Sequence, residues 1–166
     1  MDEVARALVP DAAPDLIAEI VAAYRRCSVA AAGEVPAFPG IPELIGALAD
    51  RGVALGIATS KSIEVAEPVL RALGLRDRFA VVEGTRVEEL GTGKATVVAR
   101  ALAGLGQLGA PRATALVGDR AHDVVGAHAH GLRAFGVLWG YGGREELEAS
   151  GADALLERPA DLFDLL

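Results

Sequence analysis

Short apolar runs alternate along the chain with segments whose apolar residues recur at helical spacing. The runs are bounded by glycine, proline or polar residues, which is typical of buried strands. They predict strands at residues 53–58, 79–82, 113–117, 134–139 and 154–156. Because strands that alternate with helices form parallel β-α-β units, the pattern predicts an α/β fold whose parallel sheet is covered by helices on both faces.

The segments with helical spacing predict helices before, between and after these strands. They lie at about residues 2–9, 14–32, 42–50, 63–73, 95–105, 121–130, 144–150 and 159–166. Pro68 falls inside one of them, and we expect it to kink or restart that helix. Residues 33–40 contain two prolines and predict a linker, which separates an N-terminal helical region, residues 1–35, from an α/β core, residues 36–166.

The composition and net charge of the chain argue against some classes of binding partner. The chain has 166 residues, of which 52% are apolar, and a net charge of −7 with no basic stripe. These values argue against disorder, and against nucleic acid or an anionic membrane as the main partner. Cys27 is the only cysteine, and no apolar run reaches the length of a transmembrane helix. We therefore expect a cytoplasmic location, and the alanine- and glycine-rich composition suggests a GC-rich bacterial source.

Two aspartates follow the predicted strand at 113–117. Asp119 and Asp123 lie four positions apart, at the start of a predicted helix. Ligands of open α/β sheets bind at the carboxyl ends of the strands, and two carboxylates that meet there repel each other unless a cation lies between them. Carboxylate oxygens suit Mg²⁺, which takes one or two of them together with phosphate and water. In the alternative interpretation, Asp119 caps the helix and Asp123 is a solvated acid of its first turn.

Other polar residues follow, or lie near, the ends of neighbouring strands. Thr59 and Ser60 come after the strand at 53–58, and Lys94 precedes the helix at 95–105. Hydroxyl and backbone N–H groups can hold phosphate oxygens, and an ammonium offsets their charge. Together with the two aspartates, these residues predict a site for a phosphate bridged to Mg²⁺.

The chain resembles the haloacid dehalogenase-like (HAD) phosphatases, and most closely their phosphoglycolate phosphatase-like branch. Residues 57–61, Ile-Ala-Thr-Ser-Lys, resemble the second motif of that family, and Lys94 stands where its third-motif lysine is expected. Residues 117–123, Val-Gly-Asp-Arg-Ala-His-Asp, resemble its fourth motif. The turn at 139–142, Trp-Gly-Tyr-Gly, is typical of this branch.

The resemblance implies a HAD-like three-layer α/β core with Mg²⁺ as cofactor and a small phosphorylated metabolite as substrate. Residues 1–35 would be part of a helical cap. By this resemblance, Thr59 and Lys94 would be catalytic. Substrate would be bound by Thr59, Ser60 and Lys61. Asp119 and Asp123 would hold the metal.

The first motif of the family, Asp-x-Asp-Gly-Thr, does not occur in the chain, and no Asp-x-Asp occurs anywhere in it. In the family this motif lies on the central strand and supplies the nucleophile and the general acid. We therefore expect an N-terminally truncated phosphatase that is inactive alone. The strands at 53–58 and 113–117 should either pair directly or be separated by a strand-wide space, and exposed sheet edges should permit self-association.

Two other functions remain open at this point. The chain can be a non-catalytic pseudophosphatase, which binds phosphate, metal or another protein without turnover. It can also be an unrelated doubly wound domain, such as a receiver-like regulator that is phosphorylated on Asp119.

Overall fold

The structure, a computed structural model, describes residues 6–86, 93–110 and 113–165. Strands and helices alternate from residue 41 onward, as the sequence pattern predicts. The α-helices are α1 Pro14–Ala30, α2 Ile41–Asp50, α3 Ile63–Ala72, α4 Gly93–Gly104, α5 Ala121–His128 and α6 Arg144–Ala149. The strands are β1 Gly56–Ser62, β2 Val81–Thr85, β3 Ala115–Gly118, β4 Arg133–Val137 and β5 Ala154–Leu156. Short 3₁₀ helices lie at Ala32–Glu34, Arg76–Arg78 and Pro159–Leu165.

The strands form two parallel sheets. β1 pairs with β2, and the second sheet has the order β3-β4-β5. Helices pack on both sheets, with α4 against β1 and β2, and α5 against β3 and β4. The predicted α/β fold with parallel strands is therefore confirmed.

The bounds of the first strand differ from the prediction. β1 begins at Gly56 and continues through the polar residues Thr59 to Ser62, where the prediction ended the strand at Ala58. Ser62 pairs with Thr85 after an irregularity in the register. Apolar patterning could not locate this end, because the strand pairs through its backbone and its polar end is exposed at Ser60 and Lys61. The next three strands differ from their predicted bounds by up to three residues, and β5 has the predicted bounds.

Two predicted helices also differ in form. α3 runs through Pro68 without restarting, because the only backbone bond that proline removes is the one to the carbonyl of Glu64, on an exposed residue. The predicted C-terminal helix is a 3₁₀ helix, Pro159–Leu165. Of the predicted helix at 2–9, residues 6–8 are helical, and residues 2–5 lie outside the described residues.

The three-stranded sheet has an apolar cluster on each face. Leu116 packs against the cluster of Val98 and Leu102, whereas its neighbour Ala115 packs against the cluster that contains Leu44. Consecutive residues of β4 and β5 alternate in the same way. Since successive side chains of a strand point to opposite faces, α4 and α2 cover opposite faces of this sheet.

The N-terminal helix α1 has a small apolar cluster of its own. Ile17 and Val21 are buried in it, and Ala12 and Ile20 pack against them. α1 also contacts α3. The division of the chain near residue 35 stays a prediction. Among the described residues, no helix is long and apolar enough to cross a bilayer.

A cavity lies between the two sheets. Its volume is about 860 Å³, and both β1, through residues 56–59, and β3, through residues 115–117, line it. Within the described ranges β1 is hydrogen-bonded to β2 and β3 to β4, but β1 and β3 do not pair. Of the two arrangements expected for these strands, the structure therefore has the one in which a space separates them.

Candidate phosphate- and metal-binding site

The loop after β3 brings Asp119 and Asp123 to one end of the cavity. Asp123 is 5% exposed, and its Oδ2 accepts hydrogen bonds from the backbone N–H groups of Asp119 and Arg120, both at 3.2 Å. Arg120 is the residue that precedes the first turn of α5. Asp123, rather than Asp119, therefore caps this helix, and the interpretation of Asp123 as a solvated acid is wrong.

Lys94 forms a buried ion pair with Asp123. Its Nζ lies 2.7 Å from Asp123 Oδ1, and the two side chains are 8% and 7% exposed. The pair depends on a close approach of α4 and α5, because a Cβ at Gly126 would meet the side chain of Lys94. Removing one partner of a buried pair leaves an uncompensated charge, so the two residues hold each other in place.

Asp119 is held by the glycine-rich turn after β4. Its Oδ2 accepts a hydrogen bond of 2.8 Å from the backbone N–H of Tyr141. A Cβ at Gly140 would overlap the Asp119 side chain, and a Cβ at Gly142 would overlap the Asp119 carbonyl oxygen. The glycines of this turn therefore allow it to approach the acidic loop closely.

Glu146, on α6, anchors the start of α5. Its Oε1 accepts hydrogen bonds of 2.8 Å from the backbone N–H of Ala121 and from Nε of Arg120. The Ala121 N–H, followed by the Arg120 guanidinium, lowers the pKa of the Glu146 carboxyl below its usual range. The same interaction raises the pKa of Arg120. Arg120 thus pairs with an acid and helps to fix the acidic loop.

The end of β1 is less constrained. Thr59 lines the cavity, and its Oγ1 accepts a hydrogen bond of 3.2 Å from the backbone N–H of Lys61. Ser60 Oγ lies 3.5 Å from Nε2 of His122, which in turn lies 3.8 Å from Asp123 Oδ1. Ser60 and Lys61 are exposed and lie outside the cavity lining.

The structure brings four of the predicted site residues to one cavity, namely Thr59, Lys94, Asp119 and Asp123. The sequence analysis missed the anchor Glu146 and the tight packing of the turn at 140–142. The density of glycines in that turn was the available signal, whereas nothing in the sequence distinguishes Glu146 from the neighbouring Glu145.

The donor set fits a magnesium ion that shares its ligands with phosphate and water. Oδ1 of Asp119 accepts no hydrogen bond within the described part of the chain, whereas both oxygens of Asp123 are engaged. Nowhere among the described residues do three or more His, Cys, Asp or Glu side chains form a metal-binding group. Mg²⁺ commonly takes only one or two carboxylates from the protein. Asp119 is therefore suited to direct coordination and Asp123 to contact through water.

Two of the three histidines have roles outside the cavity. His128 Nε2 lies 3.1 Å from Asp153 Oδ2, and His130 Nε2 donates to the carbonyl of Ala95 at 2.8 Å. Asp153 also accepts the N–H of Ala134, and this bond, followed by that of His128, lowers the pKa of its carboxyl. Both histidines are helix-end residues that tie neighbouring elements together.

Curated relatives share most of this chain. It is 43% identical over 105 residues to the tyrosine-protein kinase PtkA of Mycobacterium tuberculosis, a match that covers 63% of this chain and 35% of PtkA. It is 38% identical over 127 residues to the phosphoglycolate phosphatase of Synechococcus elongatus, covering 76% of this chain and 57% of that enzyme. The chain therefore spans between about a third and just over half of the length of these relatives.

Solved structures share the fold. CbbY from Rhodobacter sphaeroides, crystallised in complex with phosphate, has a TM-score of 0.76 at 31% identity, with 92% of this chain and 68% of CbbY covered. The structure of M. tuberculosis PtkA has a TM-score of 0.74 at 32% identity, with 99% of this chain and 76% of that chain covered.

Residues 3–131 match the model of one family, the haloacid dehalogenase-like hydrolases. This match excludes the alternative of an unrelated receiver-like domain. The chain belongs to the haloacid dehalogenase-like hydrolase family, on its phosphoglycolate phosphatase-like branch.

Proposed function

We propose that this chain is the phosphate- and metal-binding part of a Mg²⁺-dependent phosphatase that hydrolyses a small phosphomonoester. The observation that carries the proposal is the convergence of Thr59, Lys94, Asp119 and Asp123 on one cavity. The phosphoglycolate phosphatase relative makes phosphoglycolate the first substrate to test. A cytoplasmic location belongs to the same proposal, and the single cysteine of the chain is compatible with it.

Each residue has a defined part in binding. The Thr59 hydroxyl and the Ser60 backbone N–H hold the oxygens of the transferring phosphate, and Lys61 contacts the substrate from the exposed end of β1. Lys94 balances the negative charge that phosphate adds beside the aspartates. Asp119 would hold Mg²⁺ directly, and Asp123 would hold it through water. The bound ion would polarise the phosphate oxygens.

These 166 residues are expected to turn over phosphate esters negligibly when present alone. Phosphoryl transfer needs a nucleophile in line with the phosphorus atom. Asp119 is a poor candidate, because its carboxylate is held by the Tyr141 N–H and would be electron-depleted by the metal. We therefore infer that Thr59, Lys94, Asp119 and Asp123 bind phosphate and metal and do not supply the nucleophile.

Calorimetric titration of the chain with Mg²⁺ in phosphate buffer tests the binding part of this proposal. Wild type should bind Mg²⁺, and Asp119→Asn should weaken binding at least about tenfold, since one charged ligand is worth more than about 1.4 kcal/mol. The matched control is Asp77→Asn, an exposed aspartate of the Arg76–Arg78 turn, which should bind like wild type. Equal binding by Asp119→Asn and wild type would overturn the assignment.

Hydrolysis is tested separately with phosphoglycolate and p-nitrophenyl phosphate. We expect no turnover above the level of the Asp119→Asn variant. Clear Mg²⁺-dependent turnover that disappears in Asp119→Asn would show that these residues are a complete enzyme.

A non-catalytic role is the second candidate, because the sequence contains no Asp-x-Asp. A pseudophosphatase would bind Mg²⁺ and phosphate as above, but would stay inactive when an Asp-x-Asp-Gly-Thr peptide or a longer form of the protein is supplied.

The likeness to the tyrosine-protein kinase PtkA calls for one further assay, of phosphoryl transfer to tyrosine. If the site serves phosphoryl transfer to tyrosine, a longer form should label protein tyrosines from ATP and leave phosphoglycolate intact.

A further inference from the structure

The pairing of β1 with β2 is irregular at the end that carries the candidate site. The last two pairs of this ladder are Ala58 with Glu83 and Ser62 with Thr85. Between these pairs β1 has three residues, 59–61, whereas β2 has only Gly84. We call residues 59–61 the β1 bulge. Bulges bend a strand and re-aim its side chains, and they are frequent next to active sites.

β2 lies unusually close to the β1 bulge and is itself held in place. A Cβ at Gly84 would lie 2.6 Å from the carbonyl oxygen of Lys61, so a glycine is needed for this approach. Arg100 of α4 donates to the carbonyl of Gly84 at 2.6 Å and to Oε2 of Glu83 at 2.8 Å. The end of β2 is therefore a fixed support beside the bulge.

One peptide unit of the β1 bulge is hydrogen-bonded at both of its ends. Oγ1 of Thr85 donates to the carbonyl oxygen of Ser60 at 3.1 Å. The N–H of the same peptide unit, which belongs to Lys61, donates to Oγ1 of Thr59 at 3.2 Å. Because a trans peptide unit is planar, its C=O and N–H point in opposite directions, and a bond at one end orients the other. Thr85 therefore orients the N–H that the Thr59 hydroxyl accepts.

This arrangement bears on the hydrogen that the Thr59 hydroxyl can donate. A threonine hydroxyl donates one hydrogen and accepts two. Since Lys61 N–H occupies one of the acceptor positions of Thr59 Oγ1, the oxygen keeps its own hydrogen for another acceptor. Thr59 lines the cavity, so a phosphate oxygen bound there can be that acceptor.

We propose that Thr85 is a positioning residue of the phosphate site, which acts through the Ser60–Lys61 peptide unit to aim the Thr59 hydroxyl. Thr85 lies outside the cavity lining and does not itself contact the ligands. The inference rests on the proposed function, because that function assigns phosphate to the β1 bulge. It also predicts a selective effect, since no contact of Thr85 leads to the acidic loop that would hold the metal.

The test is calorimetric titration of the chain with inorganic phosphate in saturating Mg²⁺. Thr85→Val replaces the hydroxyl by a methyl group of similar size, and we expect phosphate affinity to fall at least about threefold, as for the loss of one neutral hydrogen bond. Affinity for Mg²⁺, measured in phosphate-free buffer, should equal that of wild type. Thr85→Ser keeps the donor and should bind phosphate like wild type.

Thr114→Val is the matched control. It removes another threonine hydroxyl that donates to a backbone carbonyl, that of Ala110 at 3.5 Å, just before β3 and away from Asp119. This variant should bind phosphate and Mg²⁺ like wild type. Equal phosphate affinity of Thr85→Val and wild type would overturn the proposal, and so would an equal loss of phosphate and Mg²⁺ affinity. A wild type that binds Mg²⁺ but no phosphate would instead overturn the proposed function, and this inference with it.

Hydrogen exchange of the wild type decides if circular dichroism shows that Thr85→Val does not fold. Phosphate should slow amide exchange in residues 56–62 and also in residues 81–85, because the hydrogen bond from Thr85 couples the two strands. Slowing that is confined to residues 56–62 would show that phosphate binds the bulge without this support, and would overturn the proposal.

Discussion

The two sides of the site, at the ends of β3 and of β1, are built very differently. At the end of β3, Asp123 accepts two backbone N–H groups and pairs with buried Lys94, while Asp119 accepts the N–H of Tyr141. At the end of β1, Thr59 accepts one local backbone N–H at 3.2 Å, and no neighbouring element holds it within the described residues. The side chains of Asp119 and Asp123 are fixed by long-range contacts. The Thr59 hydroxyl is bonded only within its own strand among the described residues, and β2 holds this end of β1 through the Ser60 carbonyl and the pairing of Ser62 with Thr85.

This difference indicates how the two ligands of the site would be bound. The carboxylates are preorganised by the fold, so binding of a metal at Asp119 requires little rearrangement of the protein. The hydroxyl groups lie on a strand whose inner edge faces the cavity. Phosphate binding should therefore depend on anything that orders that edge, whereas metal binding should not.

Removal of the Lys94 ammonium should give the largest loss of stability, because it leaves the acidic side of the site with an unpaired buried charge. Lys94→Met leaves Asp123 buried and unpaired, and we expect a loss of about 3–5 kcal/mol in the free energy of unfolding, measured by urea titration. Lys61→Met removes an exposed lysine and should change it by less than about 0.5 kcal/mol. Equal losses in the two variants would contradict the buried pair.

Substitution in the glycine-rich turn at residues 140–142 should give the next largest loss of stability. Gly142→Ala would force a Cβ against the Asp119 carbonyl, and overpacking of this kind destabilises by about 1–3 kcal/mol. The adjacent Gly143 has open space and φ of −84°, so Gly143→Ala should be tolerated. Thermal unfolding compares the two variants, and Mg²⁺ affinity should fall only in Gly142→Ala. A stable Gly142→Ala variant with normal Mg²⁺ affinity would mean that the turn does not position Asp119.

Substitution of Glu146, which anchors the start of α5, should have a smaller effect on stability, and this effect should depend on pH. The folded state lowers the pKa of Glu146, so this carboxylate contributes stability above its unfolded value of about 4.3, and the contribution is lost as the pH falls through the folded value. Glu146→Gln should therefore lower the urea midpoint at pH 7, and the midpoints of variant and wild type should converge in acid, once the pH is below the lowered pKa of Glu146.

The control for this comparison is Glu145→Gln, which changes an exposed neighbour of the same type. Its urea midpoint should follow that of wild type at both pH values. A Glu146→Gln deficit that persists unchanged at acid pH would show that the carboxylate charge is not the cause.

The hydroxyl side should give the smallest effect on stability. Ser60 is exposed, and the hydrogen bond of its side chain to His122 is long at 3.5 Å. Ser60→Ala should change the free energy of unfolding by less than about 0.5 kcal/mol. A loss above 1 kcal/mol, on the scale of a full hydrogen bond, would show that the β1 end is held as firmly as the acidic loop.

The order of elements and the meeting of the site residues could be predicted from the sequence. Apolar runs define buried strands, and the polar residues that follow parallel strands must lie at one edge. This reasoning placed Thr59 and Lys94 with the two aspartates, and the resemblance to a family assigned their individual roles. It could not give the end of β1, because pairing of Ser62 with Thr85 depends on the backbone.

The contacts that hold the acidic loop could not be predicted from the pattern of neighbouring residues in the sequence. The sequence shows that Asp123 follows Asp119 by four residues, which is compatible with a solvated acid. Its burial results from the approach of α4, which packs with α5 in one apolar cluster on the same face of the sheet. Glu146 is likewise recruited by the tertiary position of α6, 25 residues after the N–H that it accepts.

The central claim is that Thr59, Lys94 and Asp119 bind one phosphate and one metal ion at the end of the cavity. The most direct test is a crystal structure of the protein grown with Mg²⁺ and phosphate. The claim predicts Mg²⁺ on Oδ1 of Asp119, with phosphate bridging it to the Thr59 hydroxyl and lying beside Lys94. Mg²⁺ or phosphate bound elsewhere, with Asp119 held only by the turn at residues 140–142, would contradict it.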